Sequence, residues 1–249
     1  MSAGSISELL SELGSTSTPA DIAPLLDHPE SEQAHVLMAL RKRNLASSAI
    51  EAVARHPRWR GRHVIRAAIV NHRLTPRTLA LRLIPHLFWR ELLKTTANFR
   101  LPMPVRIAAE RRLRERLPEL EDGEKISLAR SAPIGVFSDL ILERNHRIIQ
   151  ALLTNPRLRE LDVLALAKDA DAPAHVLRVV ATSERWIHRP PITLAVVTNP
   201  HTPVHESLSL IRRLPRRKLH ELVEADLLPP IARIGAEKIL ANESETPSR

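Results

Sequence analysis

The densest cluster of reactive side chains in this 249-residue chain is ERWIHRPPITLAVVTNPHTP, Glu184 to Pro203, which sets a tryptophan, two histidines and two arginines among four prolines. His201 and His205, four apart near a helix start, would put two imidazoles on one helical face, the spacing of a metal pair. No HExxH motif and no acidic set completes such a site, and the residues 127 positions earlier are Leu74 and Thr78. The two histidines are read as solvated surface residues, and no metal is expected. Nucleophilic catalysis fares no better, since the chain has no cysteine and no G-x-S-x-G elbow. Six glycines spell neither GxGxxG nor a P-loop. Asp169 and Asp171 lie beside an apparent helix start, where capping accounts for them better than acid catalysis. The expectation is a protein with no catalytic residue, no cofactor and no small-molecule substrate.

The elements around this cluster come from composition and repetition. Twenty prolines against six glycines, with no tyrosine, suit proline-punctuated helices better than hairpins. The absence of cysteine excludes disulfides and cysteine-held metal sites. The opening MSAGSISELLSELGS has no basic start and no long apolar stretch, and no run approaches a membrane span. A soluble, cytoplasmic protein is expected.

Shifted by 127, the sequence reads onto itself. Ile22, Leu25, Leu26 and Pro29 meet Ile149, Leu152, Leu153 and Pro156; Arg58-Trp59 meets Arg185-Trp186; Thr75-Pro76 meets Thr202-Pro203; RIAAE from Arg106 meets RIGAE from Arg233. This predicts an internal duplication. Inside each copy, His28-Pro29, His56-Pro57, the Asn71–Pro76 turn and NFRLPMP, or Asn155-Pro156, DADAP and NPHTP, separate short segments with apolar residues at three- and four-residue spacing. In Thr75-Pro76 and Thr202-Pro203 the hydroxyl is expected to cap exposed N–H groups, with proline at the first helical position. Helices this short do not persist alone in water and must bury their stripes on neighbours. An α-solenoid satisfies that unit by unit. Trp59 and Trp186, at one position in both copies, are read as structural wedges between stacked units.

The pattern NPxxxxxDVLxxLAxDxxxPxxVLxxVA, from Asn155 to Ala181, resembles the bacterial leucine-rich-repeat-variant proteins and, more broadly, HEAT-like helical repeats. That resemblance covers residues 18–241 and implies an all-α, right-handed solenoid that binds other macromolecules. The cysteine-ligated cluster of some variant-repeat proteins has no ligands here. HEAT-like folds also include alkylpurine DNA glycosylases, but their Trp and Asp pattern finds no match in this chain, so a repair glycosylase is the weakest reading. Residues 1–17 are expected to be an N-terminal segment, partly disordered or a capping helix. Residues 18–121 and 122–241 form the two halves of one continuous solenoid domain, and 242–249 a disordered tail.

Function is sought in what differs between the copies. Net charge is +9, and residues 55–117 hold 16 Lys/Arg against 3 Asp/Glu. Arg60, Arg66, Arg73, Arg77, Arg82, Arg100, Arg112 and Arg114 face Ile187, Thr193, Pro200, Val204, Ser209, Leu227, Ile239 and Ala241 in the second copy. On the helix after Pro104, Val105, Ala109, Leu113 and Leu117 form the buried stripe and leave Arg111 and Arg114 outward. The candidate binding patch is Arg55, Arg60, Arg66, Arg73, Arg77, Arg82, Arg100, Arg111 and Arg114. An acidic protein is the leading partner for an interaction scaffold of this kind. Duplex nucleic acid, bound without sequence preference through the backbone, is the alternative, and an anionic membrane surface ranks below both. Scarce aromatics argue against a single-strand stacking platform.

Overall fold

The computed structural model describes residues 5–13, 17–42, 45–143 and 145–242. All regular structure among them is helical. Two compact units are separated at Glu119/Leu120, two residues before the boundary anticipated from the repeat. Of the residues assigned to a disordered tail, 242–249, Asn242 is the last residue of the final helix and so is not tail, while 243–249 lie outside the described residues.

The first unit contains α1 (Ile6–Glu12), α2 (Pro19–Asp27), α3 (Gln33–Arg41), α4 (Ser47–Arg55), α5 (His63–Asn71), α6 (Arg77–Leu83), α7 (Trp89–Ala97) and α8 (Met103–Arg116). The second contains α9 (Asp122–Ala129), α10 (Phe137–Ile141), α11 (His146–Leu153), α12 (Glu160–Lys168), α13 (Ala174–Ala181), α14 (Glu184–Ile187), α15 (Pro190–Thr198), α16 (Val204–Ile211), α17 (Arg216–Glu224) and α18 (Pro230–Asn242). Seven helix starts in the first unit, α2 to α8, recur 127 residues later as those of α11, α12, α13, α15, α16, α17 and α18.

Helices pack on their next-but-one neighbours as well as on adjacent ones. In the first unit α1 meets α3, α2 meets α4, α3 meets α5, and α7 lies along α8. In the second, α9 meets α11, α11 meets α13, α12 meets α15, and α16 and α17 both meet α18. The buried stripes, such as Ile22, Leu25 and Leu26 on α2 or Ile148, Ile149, Leu152 and Leu153 on α11, supply the apolar surface that short helices lack when alone. The stripe expected on α8 is also observed, with Val105, Ala109, Leu113 and Leu117 all buried.

The proline grammar is shifted by one residue from the sequence expectation. Pro76 and Pro203 occupy the N-cap, not the first helical position. At the N-cap no N–H is needed, and the proline carbonyl accepts the first helical bond, from Ala80 and Ser207 respectively. Pro102, Pro173 and Pro215 do the same for α8, α13 and α17. The threonines also act differently from expectation. The Thr75 hydroxyl donates backward to the Ile69 carbonyl and that of Thr202 to the Val196 carbonyl, so they close the preceding helix and do not cap the next.

Candidate functional site

The Glu184–Pro203 cluster is a joint. Trp186 is 2% exposed, and its indole N–H donates to the Leu153 carbonyl at 2.9 Å, satisfying a C-terminal group of α11 that has no partner within its own helix. Arg185 stacks its guanidinium 4.4 Å from the Trp186 ring and donates to the carbonyls of Leu153 and Asn155. Trp59, also 2% exposed, donates to the Leu26 carbonyl at 2.9 Å, while Arg58 lies 4.6 Å from its ring and donates to the His28 carbonyl at 2.9 Å. Arg-Trp is thus a staple between successive turns in each unit, which is the wedge role expected for the tryptophans.

Further rungs of this turn-to-turn ladder use residues that differ between units. Asn199 is 4% exposed; its amide donates to the carbonyls of Ala167 and Asp169, and its oxygen accepts the His201 N–H. In the first unit His72 does the same work: Nδ1 accepts the Leu74 N–H at 3.2 Å, which leaves Nε2 to carry the proton and donate to the Lys42 carbonyl at 3.1 Å. Asn155 and His28 likewise each accept the N–H two residues on. Asp169 closes α12, accepting the Asp171 N–H at 3.0 Å within its own turn; it does not cap the next helix. His201 and His205 are both exposed, and no group of three or more His, Asp or Glu suited to a metal converges among the described residues.

The predicted arginines fall into distinct groups. Arg111 pairs with Glu115 at 3.8 Å and Arg55 with Glu51 at 2.6 Å, both across one helical turn. Arg66 is half-buried, and its Nε donates to the Arg60 carbonyl at 2.8 Å. In the second unit Thr193 makes the same link to the Ile187 carbonyl, so Arg66 is held in the joint. Arg60 and Arg77 are exposed on the turn after α4 and the first residue of α6, and Arg114 is exposed on α8. Arg55 and Arg82 line a small recess with Glu51, which dilutes its charge.

Arg73 and Arg100 come together. They border a surface cavity of about 710 Å³ between α3, α5 and the turns that follow α5 and α7. A third arginine, Arg41 at the end of α3, stands on the same wall. It lies outside the basic stretch 55–117, immediately before Lys42, whose carbonyl is the acceptor of the His72 rung. The guanidinium groups of all three make no hydrogen bond or ion pair among the described residues, and no carboxylate lines the cavity. The remaining wall is apolar at Leu37, Leu40, Val64 and Ala68, amide at Asn71 and Asn98, and imidazole at His72. The two amides are bound to each other, Asn98 Nδ2 donating to the Asn71 side-chain oxygen at 3.3 Å, so they form a fixed floor. The second unit has Lys168, Pro200 and Leu227 at the positions of the three arginines.

No helix among the described residues is long and apolar enough to cross a membrane. No family model, curated protein or solved structure matches the chain.

Proposed function

We propose that this chain is a non-enzymatic interaction scaffold, a right-handed, HEAT-like α-solenoid made of two duplicated halves, whose first unit binds an acidic segment of a partner protein. The duplication is supported by the seven helix starts and the Arg-Trp staples that recur at one spacing. The observation that carries the binding function is the cavity in which Arg41, Arg73 and Arg100, free of internal carboxylates, surround an apolar and amide floor. Three uncompensated cations beside Leu37, Leu40 and Val64 suit a peptide carrying both acidic and aliphatic side chains. A duplex backbone offers phosphates but nothing for the apolar wall.

The test titrates the full chain with a labelled amphipathic peptide of alternating glutamate and leucine, and separately with random duplex DNA. The peptide should bind saturably, and the charge-reversed R41E/R73E/R100E variant should not bind it. Duplex should show no binding at micromolar protein in about 150 mM salt, where binding through phosphates alone is already weak. Saturable duplex binding there, with log affinity falling steeply against log salt, would transfer the groove to the nucleic-acid reading.

A further inference from the structure

The units differ at a second joint. In the first, α7 packs against α5, and three side chains bridge the contact at the surface, with Phe88 and His63 both exposed. Phe88, the N-cap of α7, meets His63 edge-on with ring centres 5.0 Å apart. Glu91, one turn on, places Oε1 3.2 Å from His63 Nδ1 and accepts the Phe88 N–H on Oε2 at 2.9 Å. In the second unit these positions are Pro190, Pro215 and Lys218. Neither proline reaches across the joint as a ring pair does, and the carboxylate has become an ammonium.

At this joint lies a groove of about 430 Å³, bounded by the end of α14, α15, α16 and the start of α17. Ile187, Leu194, Leu210 and Leu214 form its apolar walls, with Arg213 and Lys218 at its edge. Arg213 is exposed, and its side chain has no hydrogen bond or ion pair among the described residues; Lys218 holds Glu221 at 2.8 Å. An adjoining recess carries Glu184 and Glu206, the latter bound to Arg178 at 3.2 Å.

We infer that this groove docks a partner peptide that supplies an aromatic side chain and, one helical turn later, a carboxylate. The first unit provides the template, because it bridges its own copy of the joint with that pair, Phe88 and Glu91, both held against His63. Charge complementarity supports the same occupant: the incoming carboxylate would meet Arg213 and Lys218, where in the first unit Glu91 meets His63. This site lies in the other unit from the arginine cavity and does not depend on it.

The probe is a labelled, acetylated peptide with the sequence of residues 86–97, HLFWRELLKTTA, titrated into the full chain. Saturable binding is expected, weakened about tenfold or more when the peptide carries Phe88→Ala or Glu91→Gln, the scale of losing a central anchor or a close charge pair. Installing the first unit's bridge in the second unit, P190H/P215F/K218E (the sealed variant), should occupy the groove and abolish binding, while R41E/R73E/R100E should leave it intact. Should the sealed variant not fold, R213E takes its place: it should weaken the parent peptide about tenfold and leave the Glu91→Gln peptide unaffected. Absence of saturable binding, equal binding of the Phe88→Ala peptide, persistence in the folded sealed variant, an unchanged affinity in R213E or loss in the first-unit variant would each overturn the assignment.

Discussion

The first and second units bind their turns together through corresponding carbonyl groups, yet they reach those carbonyls with different residues wherever backbone geometry permits. Trp59 and Trp186 are identical because only an indole places an N–H that far into the core while filling it. His72 and Asn199 are different because either an imidazole or an amide offers one acceptor and one donor at the required places. Arg66 and Thr193 are different because any donor will close the six-residue turn. Differences that preserve a rung are therefore structural substitutions. Those that leave a cation without a partner, as at Arg73 and Arg100 opposite Pro200 and Leu227, preserve no rung, and it is on them that the proposed binding function rests.

The largest effect that can challenge this comparison lies at the staple. Trp59→Ala and Trp186→Ala should each destabilise by about 3–5 kcal/mol, the range for removing a buried aromatic side chain. Chemical denaturation followed by far-UV circular dichroism would measure both, and a small effect at only one of them would show that the units are not held alike. Next come the polar rungs. Asn199→Leu and His72→Leu each strand buried carbonyls and should lose about 1–3 kcal/mol, whereas His72→Asn, which imports the second unit's residue, should stay within about 1 kcal/mol of the parent. Thermal unfolding of the three variants orders them, and a His72→Asn loss as large as that of His72→Leu would break the equivalence.

The smallest effect concerns acid sensitivity. Asp21 accepts the Thr18 N–H at 2.6 Å at the start of α2, and this backbone hydrogen bond, aided by the Thr18 hydroxyl, holds its carboxyl below the usual aspartate range. A lowered folded pKa gives stability that is present above the unfolded pKa and lost as pH falls through the folded one. The counterpart of Asp21 is Ile148, and α11 is capped instead by Asn145, which does not titrate. Asp21→Asn should therefore be less stable than the parent at neutral pH, with the gap closing as the solution is acidified below the aspartate range. Stability curves measured across that interval check it, and a gap that widens toward acid would reverse the sign.

Much of the scaffold was legible in the sequence. The 127-residue offset of the sequence is matched by seven pairs of helix starts, and the recurrence of Arg-Trp pointed to packing. The histidine rung was hidden because His72 and Asn199 do not look alike until their hydrogen bonds are drawn. The proline positions were off by one because a proline suits both the N-cap and the first helical residue. The cavity proposed to bind was only half visible. Arg73 and Arg100 stood out by their charge, but Arg41 has Lys168 opposite it, so the comparison of copies conceals it. The second groove was not readable at all, since its lining comes from four helices, α14 to α17, that only the fold brings together.

The central claim is that the arginines bordering the α3–α5 cavity, and not the basic stretch as a whole, make the first unit a binding surface. Two variants give the first unit the second unit's residues, R73P/R100L at the cavity and R60I/R66T/R77V outside it, and their affinities for the acidic glutamate-leucine peptide are compared at unchanged helicity. The account predicts that R73P/R100L loses binding and R60I/R66T/R77V retains most of it. Equal weakening by the two sets, or full binding by R73P/R100L, would contradict it.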